Sequence, residues 1–393
     1  MTAEEAQRGW KLRVAAMATV SGVGVAVVYL PQPVQTLVAR GFGVPLSESA
    51  APNVAILAGY ALGLFFLAPL RDRVPARRQA PLHVLMTAIA IAAAAAAPNF
   101  TSFVIISFLI GGATTVGQIL ISAALRDAPP SRRASTAAVL SGSFIVGLFT
   151  TRAAVGALAD VFGWRVVFIG FAIVVISGLP IVLWAAPRAA ASPETRYLVL
   201  LRSMPTIFRS SETLRSMTLT QNTAFAAFIG VWSSVTVLAV DGLKLPVSEA
   251  ALLALPGLAG GITTILLARL HPRLGVRRAL GRSLLPLLAG ALIVMGAWQF
   301  IPLLAVGLYL ISFGLSSVQV STQTRALGTV DPEASARANT IFMTTTFLVG
   351  AMATATSDLL ARVFGYSSIG ALSSMLALLA LLLWANACRR GLI

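Results

Sequence analysis

The chain has 393 residues, of which 57% are hydrophobic and only 11% are charged. A typical globular domain has roughly 25% charged residues, so the composition excludes a soluble protein, and the mean hydropathy of +0.87 is that of a membrane protein. A net charge of +16 would suggest nucleic-acid binding in a soluble chain. Here the basic residues form short clusters between apolar runs, which is typical of membrane topology signals.

Apolar runs long enough to cross a bilayer, which needs about 20 residues, occur twelve times. The predicted spans, numbered 1 to 12, cover residues 14–39, 50–70, 80–97, 101–124, 137–158, 166–186, 217–240, 250–268, 283–300, 303–324, 339–360 and 367–387. The first run is long and has no clear small-residue cleavage site, so no cleaved signal peptide is expected.

Lysines and arginines are unevenly distributed between the two sides of these spans. If the N-terminus is cytoplasmic, 24 of the 29 lie on the cytoplasmic side and four on the other side, while Arg152 lies within a span. Basic residues are retained on the cytoplasmic side of a membrane. Both termini are therefore predicted to be cytoplasmic.

An internal repeat divides the chain into halves. Segment 68–78 matches 268–278, and segment 158–164 matches 360–366, each with five identical positions. An even number of spans precedes the second half, so both halves have the same topology, which predicts parallel repeats related by an axis along the membrane normal.

The expected fold is therefore an all-α integral membrane protein with twelve transmembrane helices in two six-helix bundles. The predicted units are an N-terminal bundle at 1–186, a cytoplasmic linker at 187–216 and a C-terminal bundle at 217–393.

The loop after span 2 carries a charged motif. It reads Ala68-Pro-Leu-Arg-Asp72-Arg73-Val-Pro75-Ala-Arg77-Arg78. Taken alone, this run predicts a basic topology-setting loop in which Asp72 ends a helix.

Span 5 carries a second motif, Gly147-Leu-Phe-Thr-Thr-Arg152-Ala-Ala-Val-Gly156-Ala-Leu-Ala-Asp160-Val-Phe-Gly163-Trp164-Arg165. Its small residues allow another helix to approach closely. With the loop after span 2, this segment resembles the major facilitator superfamily over essentially the whole chain, and most of all its twelve-helix bacterial drug-efflux branch. The glycine–proline pair of the family's antiporter segment is replaced here by Thr151-Arg152.

The resemblance implies a secondary transporter of the bacterial inner membrane that works by alternating access, with protons as the coupling ion. It also implies a cytoplasmic gate formed by Asp72, Arg73, Arg77 and Arg78. The mid-membrane carboxylate usual for proton exchange is absent, since only Asp358 of the 13 acidic residues falls within a predicted span. The candidates for coupling are therefore Asp72, Asp160 and Asp358.

In the family, spans 1, 4, 7 and 10 line the central cavity. Their polar and aromatic residues contact either a substrate or a neighbouring helix, because polar groups in a membrane need partners. Pro31 and Pro33 flank Gln32 and are expected to distort span 1. The candidate substrate-binding residues on these spans are Tyr29, Gln32, Thr115, Gln118, Gln221, Asn222, Trp232, Tyr309 and Gln319.

Arg152 is also a candidate substrate-binding residue. A charge within a span is costly and indicates function by default. The predicted span places Arg152 roughly 9 Å below the extracellular end, at a rise of 1.5 Å per residue. It either faces the cavity and holds an anionic group or extends along the helix to the membrane surface.

The expected function is export of a small amphipathic or polar organic compound, a drug or a metabolite, with proton antiport as the implied mechanism. The alternative is uptake or exchange of an organic anion recognised by Arg152, and a remote alternative is a non-transporting membrane scaffold. No phosphate-binding loop, no catalytic cluster and no cofactor or metal site is apparent; His83 and His271 are far apart, at or beside basic loops. We expect a small-molecule substrate and the lipid bilayer as partners, no nucleic acid, and a monomer.

Overall fold

The structure is a computed structural model that describes residues 3–67, 69–70, 73–129, 132–187, 197–267 and 271–393. Within these ranges the regular secondary structure is helical, with no strands. Twelve segments of the described chain are long and apolar enough to cross a membrane. The predicted all-α fold with twelve transmembrane spans is confirmed.

The described part of the chain forms helices that we number in chain order. They are α1 (Ala3–Val27), α2 (Gln35–Phe42), α3 (Ala51–Leu67), α4 (Ala76–Ala95), α5 (Phe100–Ala113), α6 (Val116–Asp127), α7 (Arg133–Phe162), α8 (Trp164–Ala185), α9 (Tyr197–Ser210), α10 (Glu212–Val237), α11 (Val247–Leu252), α12 (Ala254–Leu267), α13 (His271–Ala297), α14 (Ile301–Leu327), α15 (Pro332–Phe364) and α16 (Ser367–Arg389). Spans 1, 4 and 8 each contain two helices, α9 lies in the linker, and each remaining helix forms one span.

Of these three divided spans, spans 1 and 4 are interrupted well inside their apolar runs. Span 1 leaves the α-helix after Val27, and a short 3-10 turn at Gln32–Val34 precedes α2, as expected for a segment with two prolines that cannot donate backbone hydrogen bonds. Span 4 was expected to be continuous and is instead broken at Thr114 and Thr115. The cause is a tertiary contact, because the Thr114 hydroxyl donates to the carbonyl oxygen of Gly24 at 2.9 Å.

The helices of spans 5 and 9 extend beyond the apolar runs that predicted them. α7 continues through Phe162, so Arg152 lies about 15 Å from its end at 1.5 Å per residue, not 9 Å. The membrane segment of α13 begins at a bend where Gly275 has φ of +72°, so it includes Arg277 and Arg278, which were predicted to lie in a loop. Arginine stems can cover apolar surface while the charge reaches water, so helices continue through such residues.

Helix packing is repeated between the two halves. α1 packs on α7, α4 on α8, and α3 on α5. In the second half, α10 packs on α15, α13 on α16, and α12 on α14. The first half has an apolar core that includes Ile56, Leu120 and Phe168. The core of the second half includes Leu287 and Ile311 and is continuous with buried residues of the first half such as Tyr60. The same six-helix arrangement therefore occurs twice.

The two bundles meet along two pairs of spans: α3 of span 2 packs on α15 of span 11, and α7 of span 5 packs on α11 and α12 of span 8. Tyr60 on α3 packs edge-on against Phe347 on α15, with ring centroids 4.6 Å apart. On α7, Phe149 packs against Trp232 of α10 at 5.0 Å. The interface is thus aromatic in the middle of the membrane.

Polar contacts join the bundles at one membrane face. We call the face that carries both chain ends the basic face and the other the opposite face. At the opposite face, Gln35 donates through Nε2 to the carbonyl oxygen of Ser233 at 2.8 Å, and Asn53 holds Gln35 by donating to its Oε1 at 2.6 Å. The backbone N–H of Ser248 donates to Oδ2 of Asp160 at 3.2 Å. These bonds hold the opposite face closed between the bundles.

Candidate substrate site

The site forms where α7 approaches span 1. A Cβ atom on Gly147 would lie 2.2 Å from the carbonyl oxygen of Gly22, so only glycine allows these helices to lie so close together. Arg152 follows about one and a half turns further along α7 and lies beside the interrupted part of span 1.

The Arg152 guanidinium is enclosed by groups from three spans, and its residue is only 4% exposed. It lies over the rings of Tyr29, Phe149 and Trp232, at 5.1, 5.8 and 4.8 Å from their centroids, within the range of attraction between a cation and an aromatic ring. Its Nη2 atom donates to Oε1 of Gln32. The structure therefore brings together four of the predicted site residues, Tyr29, Gln32, Arg152 and Trp232, and adds Phe149, which the sequence analysis missed.

Most of the hydrogen-bonding capacity of Arg152 is unused. Its Nε and Nη1 atoms have no hydrogen-bond partner, and neither does Nε2 of Gln32. Among the described residues, no carboxylate pairs with Arg152. A buried charge without a counterion is unfavourable, so this guanidinium would gain from an anionic group that reaches Nε and Nη1.

A small recess adjoins the guanidinium. Gln32, Arg152, Trp232, Thr236 and Ala250 contribute to its walls, and its volume is about 20 Å³, which is room for about one water molecule. Trp232 is held in place by its Nε1–H, which donates to the hydroxyl of Ser312 at 3.2 Å. An organic substrate reaches Arg152 only after the N-terminal and C-terminal helices around this recess separate.

The family model described as Major Facilitator Superfamily matches residues 14–354. The chain belongs to this superfamily. Curated relatives are transporters by name. "Uncharacterized transporter YgaY" of Escherichia coli O157:H7 is 26% identical over 376 residues, which cover 94% of this chain and 93% of that protein. "Probable transporter SCO4007" of Streptomyces coelicolor is 30% identical over 347 residues, which cover 86% and 79%.

Solved structures of superfamily transporters share the fold. The nucleoside transporter NupG superposes with a TM-score of 0.75 at 10% identity, covering 96% of this chain and 99% of NupG. The human organic anion transporter MFSD10 superposes with a TM-score of 0.71 at 17% identity, covering 98% and 100%. The chain therefore has the superfamily fold, two six-helix bundles related by a pseudo-two-fold axis along the membrane normal. It is a multi-pass membrane transporter.

Gln221, Asn222 and Tyr309, three of the remaining candidates on spans 7 and 10, have side-chain partners within the C-terminal bundle of this superfamily member. The bonded pairs are Gln221 with Thr322 at 3.1 Å, Asn222 with Thr346 at 2.8 Å, and Tyr309 with Thr263 at 3.2 Å. Gln319 is half-buried on α14. These bonds connect neighbouring helices, so in this conformation the residues hold the bundle together.

The candidates on span 4 lie within the N-terminal half. Gln118 hydrogen-bonds the side chain of Tyr60, and Thr115 lies in the break between α5 and α6, where its hydroxyl oxygen is 3.1 Å from Nδ1 of His83. Among the described contacts, the partners of these two side chains are Tyr60 and His83, not Arg152.

The described residues among those expected to form the superfamily's gate are at the basic face. Asp72 lies outside the described residues. Arg73 and Arg78 are exposed, and Arg77 is half-buried at the start of α4.

The other coupling candidates are near the opposite face. Asp160 is exposed and accepts the hydrogen bond from Ser248. Asp358 forms an ion pair with Arg362 one turn further along α15. Neither carboxylate lies beside Arg152.

His83 was set aside in the sequence analysis as a residue next to a basic loop, and the structure places it elsewhere. It is 3% exposed within α4, and its Nδ1 lies 2.7 Å from the carbonyl oxygen of Ala113. Its position three residues inside predicted span 3 was the signal that could have identified it as a membrane-buried titratable group.

Proposed function

We propose that this protein is a secondary active transporter that works by alternating access and carries a small organic compound with an anionic group, which Arg152 binds. One observation carries the proposal: a guanidinium buried between the bundles has two unpartnered donor atoms and no counterion among the described residues. A transporter that moved only neutral compounds would have no need of this unfavourable charge.

The geometry indicates how such a compound would bind. The Nε and Nη1 atoms of a guanidinium lie on different edges of a planar fork, and together with Nη2 they can hold carboxylate oxygens at fixed angles. The rings of Tyr29, Phe149 and Trp232 would contact an apolar body attached to that group. A small aromatic or aliphatic carboxylate has both features.

The moving bodies would be residues 1–186 and 217–393, joined by the linker at 187–216. Tyr29, Gln32 and Arg152 belong to the first body and Trp232 to the second. A substrate held between them would therefore be exposed to one membrane face or the other as the bodies rock.

Export is the proposed direction and protons the proposed coupling ion. Their support is the resemblance of the segment from Gly147 to Arg165 to the antiporter segment of drug-efflux members. The protein would be a monomer in a bacterial inner membrane. Both of its chain ends would be on the cytoplasmic side. The basic clusters on the face of the termini support this orientation.

A second candidate function is export of a neutral or amphipathic compound. The observation that favours it is the aromatic wall of Phe149 and Trp232 around the recess. In that case Arg152 would only organise the site through Gln32. A non-transporting scaffold remains the least supported alternative, because a scaffold needs no unpaired cation between the bundles.

Transport into proteoliposomes distinguishes these functions. A panel of labelled carboxylates and their neutral amide counterparts is tested with wild type, Arg152→Lys and Arg152→Gln. We expect uptake of a carboxylate but not its amide by wild type, reduced uptake by the lysine variant, which lacks the planar fork, and no uptake by the glutamine variant.

The matched control is Arg165→Gln. Arg165 also lies between aromatic rings, those of Phe42 and Trp164, but its guanidinium donates to backbone carbonyl groups of Ala95 and Ala97. This variant should keep the preference for carboxylates. Near-wild-type preference in both Arg152 variants would contradict the proposal and favour the second candidate.

A further inference from the structure

We infer that His83 is the proton-binding site that couples this transporter to a proton gradient, a role the carboxylates were expected to have. The inference rests on the proposed function, because coupling requires a transported substrate. Histidine is the side chain whose ordinary titration lies near neutral pH. His83 is buried in the membrane part of α4, whereas the described acidic candidates Asp160 and Asp358 are near the opposite face.

The hydrogen bonds of His83 determine which nitrogen takes up the proton. A carbonyl oxygen only accepts, so the 2.7 Å contact with Ala113 means that Nδ1 carries hydrogen and donates. The hydroxyl oxygen of Thr115, at 3.1 Å, lies close to the same N–H. In the neutral imidazole, Nε2 then has the free electron pair. It would accept a proton from water on one side of the membrane and release it to water on the other.

Two features of the surroundings of His83 stabilise the charged imidazolium. α5 ends at Ala113, so the imidazole lies at the C-terminus of a helix, where the negative end of the helix dipole stabilises a cation. The Ala113 carbonyl would also bind the imidazolium more strongly than the neutral ring. Burial of the imidazole opposes the charge, and these two effects counter part of that cost.

Other charged groups are distant from the imidazole. α5, α6 and α8 pack against α4, and a cavity between α1 and α4 brings α1 near as well. Besides His83, the titratable residues on the described parts of these helices are Arg77 and Arg78 on α4, Arg126 and Asp127 on α6, Arg165 on α8, and Glu4, Glu5, Arg8, Lys11 and Arg13 on α1. Arg165 is at the opposite face, and the others are at the basic face. His83 is the titratable group on these segments that lies between the two faces.

The broken part of span 4 provides the element that protonation would switch. In a continuous helix, the carbonyl oxygen of Ala113 would accept from the N–H of Gly117, four residues on. In the observed break it accepts instead from the N–H of Thr115 at 3.0 Å and from His83 at 2.7 Å. A charged His83 binds the Ala113 carbonyl tightly and so keeps span 4 from forming a continuous helix. A neutral His83 binds this carbonyl less tightly. A cavity of about 90 Å³ lined by Gly24, Thr87 and Thr114 adjoins the break and leaves room for the chain to move.

The break is connected to the substrate site through span 1. Thr114 donates to the carbonyl oxygen of Gly24, and a Cβ on Gly24 would lie 2.6 Å from the Val116 side chain, so α1 and the break are in tight contact. From Gly24, span 1 continues to Gln32, which binds Arg152. A change at His83 can thus alter the position of Gln32 and the affinity of Arg152 for an anion.

The first test uses nuclear magnetic resonance. The chain has only two histidines, so His271→Asn leaves His83 as the single imidazole in the full-length protein. We expect its nitrogen resonances to titrate with a midpoint that shifts when the transported carboxylate is added, because linkage between two binding sites is reciprocal. An imidazole that does not titrate between pH 5 and 9, or titrates identically with and without carboxylate, overturns the inference.

The second test separates titration from structure. In His83→Asn, the amide can still donate to Ala113 but cannot take up a proton. We expect this variant to exchange labelled for unlabelled carboxylate in proteoliposomes at a rate within about threefold of wild type. It should lose accumulation driven by a pH gradient, while the His271→Asn control keeps both activities.

The transport test distinguishes an error in the role of His83 from an error in proton coupling or in the proposed function. If His83→Asn accumulates carboxylate as wild type does, His83 only supports the helix break and the coupling role is wrong. If wild type exchanges carboxylate but a pH gradient drives no accumulation, proton coupling is wrong while the proposed substrate class stands. If wild type exchanges no carboxylate, the proposed function itself is wrong.

Discussion

Nη2 of Arg152 on α7 donates a hydrogen bond to the amide oxygen of Gln32, which lies in the non-α-helical stretch between α1 and α2. An amide oxygen is uncharged, so this bond orients the guanidinium without neutralising it. The remaining Nε and Nη1 donors keep the capacity to bind an anion. The neutrality of Gln32 is therefore as important for the proposed site as the charge of Arg152.

Replacing Gln32 by glutamate should close the site to anions. The new carboxylate would pair with Arg152 and compete with a substrate for the same donors. We expect at least about a tenfold loss of carboxylate affinity, equivalent to about 1.4 kcal/mol, measured by thermal shift or exchange transport. Gln35→Glu is a control of equal charge, because Gln35 takes part in the polar contacts between the bundles at the opposite face. Unchanged carboxylate affinity in Gln32→Glu would contradict the role of Arg152 as the anion site.

Replacing Gly147 by alanine should destabilise the protein and disturb the site. The new Cβ would overlap the Gly22 carbonyl group, 2.2 Å away, and such overpacking costs about 1–3 kcal/mol. The control is Gly170→Ala, where no atom lies within 4 Å of the new Cβ. We expect a lower melting temperature and reduced transport for the first variant only. Equal stability of the two variants would show that α1 and α7 are not closely packed.

Replacing Asp160 by alanine should loosen the opposite face. Asp160 is the acceptor for the N–H of Ser248, and its loss removes one of the polar contacts between the bundles. In a Cys388→Ser background, a cysteine introduced at Ala250 beside the recess should react faster with a membrane-impermeant reagent added at the opposite face. Glu249→Gln removes an exposed acid nearby and should not change the rate.

Replacing Arg165 by glutamine should lower stability without changing substrate preference. Its guanidinium donates to the carbonyl oxygen of Ala97 at 3.1 and 3.2 Å, beyond the end of α4. A hydrogen bond that involves a charged group contributes about 1.5–3 kcal/mol. We expect a lower melting temperature in detergent together with an unchanged ratio of carboxylate to amide transport. A changed ratio would mean that α8 contributes to substrate recognition.

Replacing Asp72 by asparagine tests the gate implied by the superfamily resemblance. If Asp72 stabilises the state closed to the cytoplasm, the variant should shift the population towards the inward-open state and transport more slowly, with folding intact. The equivalent position of the repeat is Pro272, so the second half has no acid to remove. Unchanged labelling of cysteines on the cytoplasmic side would contradict a gating role for Asp72.

The spans were predictable because each is a long apolar run, and the interruption of span 1 was predictable because proline has a local effect on a helix. The break in span 4 was not, since it depends on a bond between Thr114 and Gly24, which are distant in sequence. Helix limits were least predictable at basic residues such as Arg277, where charge suggested a loop and the helix continues.

The candidate site was predictable residue by residue but not as an arrangement. Arg152, Gln32 and Trp232 were notable as polar or aromatic groups within spans. Phe149 was not, because an apolar residue in a membrane helix has no distinguishing chemistry until its neighbours are known. His83 shows the converse error, since its proximity to a basic loop in sequence concealed its burial against the end of α5.

The two hydrogen bonds between the bundles at the opposite face, which we call the seal, have a consequence for sequence variation among relatives. Gln35 and Asp160 supply side chains, whereas Ser233 and Ser248 supply only backbone atoms. Any residue other than proline could provide the N–H at 248, and any residue could provide the carbonyl oxygen at 233. Relatives that keep this seal should thus preserve the polar side chains at positions 35 and 160 of the N-terminal bundle. The residue types at positions 233 and 248 of the C-terminal bundle should vary independently of them.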